Sequence, residues 1–155
     1  MSELADRLHA DLVAAMKDRD ELTRSTLRMA IAAIKNEQVA GKEARTLEQG
    51  EVITVLNREV ATRRDAAEAY TAGNRPELAE RELAEIEILQ RYLPAALTDA
   101  ELDELVAAEV AAAAQALGEQ PSMKQMGLII KAVNAKAAGR AEGAKVAAKV
   151  KAALA

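Results

Sequence analysis

The sequence predicts an all-α protein of about seven helices, and three observations carry that prediction. Of 155 residues, 37 are Ala and 39 are Leu, Ile, Val or Met, against 2 Tyr and no Phe or Trp. Ala is the strongest helix former and unbranched side chains follow it. Apolar residues recur at helical steps along the chain, and no strand pattern competes with them. The 3 Pro and 7 Gly fall nearly all at the boundaries this periodicity suggests, so punctuation and pattern agree.

Start and stop signals place the elements in order. Ser2 can cap a first helix running to about Asp18, with Leu4, Leu8, Leu12 and Met16 on one stripe. A second runs from about Asp20 to Ala40 and stops at Gly41. Its apolar residues (Leu22, Leu27, Met29, Ile31, Ile34) lie on more than one side, so it is expected to be well buried. Thr46 with Gln49 three residues on reads as a capping box opening a third helix to about Ala72, with Gly73 as its carboxyl-terminal cap. Pro76 suits the first turn of a fourth, which ends before Pro94. Thr98 with Glu101 is a second box, opening a fifth helix through Leu117 to Gly118. Its early acids complement the helix dipole. Ser122 with Gln125 opens a sixth, carrying Met123, Met126, Ile130 and Val133. After Gly139 and Gly143 a seventh runs along Val146, Val150 and Leu154. The break at Leu93-Pro94 with a fresh cap at Thr98 divides the chain into a four-helix subdomain, 1–93, and a three-helix subdomain, 94–155.

Composition excludes several chemistries. With no Cys there is no thiol nucleophile, disulfide or thiolate metal site. His9 is alone, beside the Leu8/Leu12 stripe, and reads as a boundary residue of the first helix. Two tyrosines, Tyr70 and Tyr92, cannot build a base-stacking platform. No cofactor or metal motif is present. The acidic amino terminus lacks the basic and apolar regions of a signal peptide, and no uncharged stretch is long enough to span a bilayer. The expectation is therefore a soluble cytoplasmic protein with no membrane association.

Net charge is −4, which argues against a dedicated nucleic-acid binder until it is resolved by segment. Residues 1–97 carry 14 basic and 18 acidic side chains; residues 98–120 carry none and 6 (Asp99, Glu101, Asp103, Glu104, Glu109, Glu119); residues 121–155 carry 7 and 1. A −6 helix thus precedes a +6 carboxyl-terminal end.

Four groups of charged residues merit weighing. Arg24, Arg28 and Lys35 fall within about 40° on a helical projection. That is a possible phosphate-binding stripe, but a solvated face paired with Asp20 and Glu21 outweighs it. Arg58, Arg63 and Arg64 are diluted by Glu59, Asp65 and Glu68 and read as a solvated face. Glu85 and Glu87 are two residues apart, so they point to different sides and cannot act jointly on a substrate; Arg81 and Arg91 offer them helix pairs. The Gly139-Arg140-Ala141-Glu142-Gly143 turn, with Lys131 and Lys136 before it and Lys145, Lys149 and Lys151 after, combines free backbone N–H groups with cations, as a phosphate site does. The competing reading is a tight turn whose lysines are neutralised by the acidic helix.

Thr26-Leu27-Arg28-Met29, Ala84-Glu85-Ile86-Glu87-Ile88-Leu89 leading into Tyr92-Leu93-Pro94, Met123-Lys124-Gln125-Met126-Gly127 and the Gly139–Gly143 turn occur in this order. Together they resemble the YqeY-like proteins, which share a carboxyl-terminal region with the B subunit of glutamine-dependent aspartyl/glutamyl-tRNA amidotransferase. The resemblance covers essentially the whole chain and implies an all-α, two-subdomain protein. In the amidotransferase the corresponding tail contacts the body of tRNA while the chemistry sits in other domains. A freestanding version is therefore expected to be a tRNA-binding or adaptor module without an active site, and a carbon–nitrogen ligase label would reflect kinship. Three positions depart from the family's habit: Ala135 and Ala138 stand where a proline and a second lysine are frequent, and Glu142 where aspartate is common.

The leading expectation is binding of tRNA or another structured RNA through backbone contacts from Lys124, Lys131, Lys136, Arg140, Lys145 and Lys149. The alternative is an adaptor for a protein partner in tRNA metabolism, with no RNA contact. An enzymatic role in amidotransfer is the weakest of the three. A continuous positive face on the last two helices would favour RNA; cations interleaved with the acids of the fifth helix would favour the adaptor.

Overall fold

A computed structural model describes residues 2–155; Met1, counted above with the amino-terminal subdomain, lies outside them. The described residues form seven α-helices and a short 3-10 turn, with no strand among them, so the all-α expectation holds. The chain divides into two compact units at Leu93–Pro94.

The first unit comprises α1 (Glu3–Lys17), α2 (Glu21–Gln38), α3 (Gln49–Ala72) and α4 (Pro76–Gln90). Ser2 caps α1 by accepting from the Ala5 amide at 3.2 Å, and Asp20 caps α2 by accepting from the Thr23 amide at 3.1 Å. Leu8, Leu27, Leu56 and Leu89, one from each helix, are fully buried and anchor a single core. Each such side chain stabilises the unit by about 1.5–3 kcal/mol relative to exposure. On α3 the core ends at Val60 and on α4 it begins at Ile86. Beyond it the two helices continue as an antiparallel hairpin in which Ala67 and Ala79 are buried.

Within this unit the start of α3 differs from expectation. The capping box of α3 is built by Glu48 and Glu51, not by Thr46 and Gln49. Leu47 is drawn into the core with Val52, the two positions of a hydrophobic staple around that box, and this sets where the helix begins. Gln49 is diverted, its Oε1 accepting from the Leu4 amide at 3.2 Å. Gly73 does close α3, but in a right-handed conformation, and Asn74 takes the left-handed one with φ +56°. Asn tolerates that region better than most side chains. As expected, α4 ends before Pro94, at Gln90, and the chain beyond it turns Tyr92 into the core. The Tyr92 hydroxyl donates to Asp11 Oδ2 at 2.6 Å, and the Arg7 guanidinium lies 4.7 Å over its ring. Burial pushes the Tyr92 hydroxyl pKa well up, and the bond to Asp11 adds to it.

The second unit comprises α5 (Asp99–Leu117), α6 (Met126–Ala137) and α7 (Gly143–Leu154). The Thr98/Glu101 box forms as read: Thr98 Oγ1 accepts from the Glu101 amide at 3.1 Å and Glu101 Oε2 from the Thr98 amide at 2.8 Å. Gly118 closes α5 at φ +76°, a conformation a Cβ would oppose. The Ser122/Gln125 box also forms, but it caps a 3-10 turn over Met123–Gln125, so the sixth helix begins three residues later. The core consists of Leu102, Val106, Ile129, Val133, Val146 and Val150, two from each helix, with no aromatic side chain in the unit.

Candidate functional site

The six cations expected to meet RNA all lie on the second unit, and the fold sorts them into three groups. Lys145 and Lys149 are four residues apart on α7 and share a face, as do Asp99 and Asp103 on α5. The matching steps put Lys145 on Asp99 and Lys149 on Asp103, the latter at 2.6 Å. The hydrogen bond from Lys145, reinforced by the charges of both lysines, holds the Asp99 carboxyl below its ordinary range. The bond to Asp103 raises Lys149. Lys136, near the end of α6, pairs with the buried carboxylate of Glu109 in an ionic contact that lacks hydrogen-bond alignment. Half of the six cations are thus spent on acids of the same unit.

Arg140 does a second kind of work. Its Nε donates to the Ala95 carbonyl at 2.8 Å, and the Leu97 amide donates to the Arg140 carbonyl at 2.8 Å. The turn between α6 and α7 is thereby clasped to the strand of chain that leads into α5. Ala138 at φ +50° and Gly139 at φ +81° bend the backbone into this turn.

Lys124 and Lys131 form the third group: both are exposed, and neither makes an ion pair among the described residues. On α6, Lys131 shares its outward face with Gly127, Leu128 and Ala135. Leu128 is 69 % exposed. Lys151, which lies off the Lys145/Lys149 face and was not among the six, is also exposed and makes no ion pair among the described residues. Residues 94–155 hold seven Lys or Arg and seven Asp or Glu, so the unit is neutral.

In the first unit one reading needs correction. Arg63 does not belong to a solvated face: its side chain is 4 % exposed. Its Nε donates to Glu85 Oε2 at 3.0 Å, its Nη1 to Glu59 Oε2 at 2.8 Å, and Arg81 lies 3.5 Å from the other Glu85 oxygen. Glu85 is accordingly a structural partner at the base of the α3–α4 hairpin. Arg58 does lie at the surface, 3.2 Å from Glu37. Arg24 is taken up by Glu21, whereas Arg28 and Lys35 are exposed and make no ion pair among the described residues. His9 is half-buried at the edge of α1. A shallow groove of about 400 Å³ runs between α2 and α3, walled by Asn36, Glu37, Arg58, Glu59 and Thr62. Those walls offer no nucleophile held by a base, the arrangement covalent catalysis requires. Among the described residues no group of three or more His, Asp or Glu is placed to hold a metal, and no helix is long and apolar enough to cross a membrane.

Comparison with known proteins decides the family. The model of the family described as "Yqey-like protein" matches residues 5–154. The chain belongs to the YqeY-like family. Its relatives include proteins named "Altered inheritance of mitochondria protein 41, mitochondrial". That of Lachancea thermotolerans is 33% identical over 99 residues, covering 62% of this chain and 52% of the relative. That of Eremothecium gossypii is 30% identical over 100 residues, covering 64% and 54%. That of Candida glabrata is 30% identical over 86, covering 56% and 47%. The chain spans about half the length of these relatives. Their names overturn the cytoplasmic expectation, because they are mitochondrial proteins. Surface charge and the lack of a spanning helix record only that a surface meets water, and two aqueous compartments make the same demand.

Proposed function

We propose that this YqeY-family protein is a non-catalytic helical module that recognises a protein partner. One observation carries the reading: the cations of α6 and α7 are interleaved with the acids of α5, with Lys136, Lys145 and Lys149 each held by a carboxylate. A phosphate backbone would have to displace those carboxylates, in a unit whose charges balance. What the unit offers outward instead includes apolar side chains, Leu117, Met123 and Leu128, the last 69 % exposed.

A second reading, contact with tRNA, rests on Lys124 and Lys131. These two unpaired cations flank the open Gly127 position, where a backbone can approach closely, and the resemblance to the amidotransferase tail points the same way.

One pair of experiments separates the readings. Fluorescence anisotropy with bulk tRNA is expected to show only weak, salt-sensitive binding, with the Lys145→Ala variant unchanged. Affinity capture after nuclease treatment is expected to retain a stoichiometric partner that the Leu128→Glu variant loses. Tight tRNA binding that Lys124→Ala with Lys131→Ala abolishes, and capture that nuclease abolishes, would establish the second reading in its place. Robust amidotransfer to misacylated tRNA by the purified chain would refute both.

A further inference from the structure

The outward ridges of α2 and α4 carry complementary patterns. Between Glu21 and Glu37, α2 has three cations and no acid, in a unit where acids outnumber bases 18 to 14. Arg24 is occupied by Glu21, which leaves Arg28 and Lys35 exposed and without ion pairs among the described residues. Ala32 lies between them on the ridge and Val39, 62 % exposed, continues it, with Met29 on the shoulder at 55 %. On α4 the outward ridge reads Glu80, Leu83, Glu87. Neither glutamate makes an ion pair among the described residues, and Leu83 is 55 % exposed.

The spacings match in one direction only. From Arg28 the steps to Ala32 and Lys35 are four and three; from Glu87 back to Leu83 and Glu80 they are again four and three. Laid antiparallel, Arg28 meets Glu87, Ala32 meets Leu83 and Lys35 meets Glu80 along about 10 Å of helix. The bulk of Leu83 then falls where Ala32 leaves room, and Val39 falls opposite the exposed Pro76. In the parallel direction the charges still meet, but Leu83 and Ala32 fall out of step.

We propose that these ridges are the two halves of one self-association contact, in which α2 of one copy lies antiparallel on α4 of a second copy of this chain. The occupant is argued from the chain itself, since the inverse charge pattern with its central leucine is present on α4. A two-fold arrangement forms the contact twice, because each copy supplies one ridge of each kind. The ion pairs are exposed and the area is small, so the association is weak and salt-sensitive, in the transient class.

Sedimentation velocity on the full chain tests this. At low salt the weight-average mass is expected to rise with concentration from 16.5 kDa toward twice that value, and to fall back as salt is added. Arg28→Glu with Lys35→Glu is expected to stay monomeric, and so is Glu80→Lys with Glu87→Lys; mixing the two variants one to one restores association. Circular dichroism confirms that each keeps its helix content. Cross-linking supplies a readout independent of charge. The chain has no cysteine, so Ala32→Cys mixed with Leu83→Cys is expected to form an intermolecular disulfide under mild oxidation, and Ala32→Cys mixed with Glu68→Cys is not. A wild-type chain that stays monomeric at about millimolar concentration and low salt, association that both reversals leave intact, or equal cross-linking of the two cysteine mixtures would each overturn the proposal.

Discussion

Replacing Arg63 by Met tests the least exposed charge in the first unit. Glu85 has a side chain 9 % exposed and accepts from Arg63 at 3.0 Å; without Arg63 it keeps only Arg81 at 3.5 Å. Removing one partner from a buried pair costs about 3–5 kcal/mol, because the remaining charge stays desolvated. The lower end applies here, since Arg81 persists and the methionine stem fills part of the vacated volume. For a unit of this size each kcal/mol lowers the melting temperature by about 4–8 °C, so about 3 kcal/mol corresponds to a fall of roughly 12–24 °C. Arg58→Ala is the matched control: its partner Glu37 is 3.2 Å away, but the side chains are 61% and 33% exposed, so the loss should stay under about 1 kcal/mol. The assay reads the right unit by construction. Both tyrosines, Tyr70 and Tyr92, precede Pro94 and the chain has no Trp, so tyrosine fluorescence follows the first unit alone. In the double variant Arg63→Met, Glu85→Leu the buried charge is gone, and most of the lost stability should return. If Arg63→Met costs no more than Arg58→Ala, or if the double variant is as unstable as the single one, the buried-pair reasoning is wrong.

Thr98→Ala removes the hydroxyl that accepts from the Glu101 amide and should destabilise the second unit by about 1 kcal/mol; hydrogen exchange of the first-turn amides of α5 measures it, and unchanged protection would contradict the capping role. Ala138 adopts φ +50°, so Ala138→Gly should stabilise the same unit by about 1 kcal/mol in urea unfolding followed by circular dichroism. A loss of stability would show that the turn is held by something other than tolerance of that conformation. Asp99 is held below its ordinary value of 3.8, first by the hydrogen bond from Lys145 and then by the charges of Lys145 and Lys149. A depressed carboxylate contributes stability above its unfolded pKa and loses it as pH falls through the lower folded value. Carboxyl NMR should therefore place the Asp99 midpoint below 3.8 and move it upward in Lys145→Ala; an unmoved midpoint would refute the assignment.

Much of the fold was legible because its signals are local. The caps at Ser2, Thr98 and Ser122 depend on side chains within three residues of the amides they satisfy. Where tertiary packing overrode a local signal the reading slipped. Thr46 with Gln49 has the form of a capping box, but the burial of Leu47 moved the start to Glu48, and only the assembled core specifies that burial. Arg63 failed for the same reason: its acidic neighbours in sequence suggested a wetted face, whereas the residue that buries it, Glu85, lies 22 positions away on another helix. The charge ladder of the second unit was half-readable. The opposed −6 and +6 segments were visible, and so was the four-residue step of Lys145 and Lys149; that Asp99 and Asp103 present the same step toward them required α5 and α7 to be in contact.

The clasp between Arg140 and the Ala95–Leu97 segment has a mechanical consequence. Tension drawn along the chain through Pro94 reaches Ala95 and Leu97 before it reaches Thr98 and the first turn of α5. Two hydrogen bonds, from Arg140 Nε to the Ala95 carbonyl and from the Leu97 amide to the Arg140 carbonyl, stand in its way. They transfer the load to the turn between α6 and α7, so a pull is shared by all three helices instead of peeling α5 from its amino-terminal end. Arg140 thus acts as a strain relief, anchoring the point where the chain enters the three-helix unit.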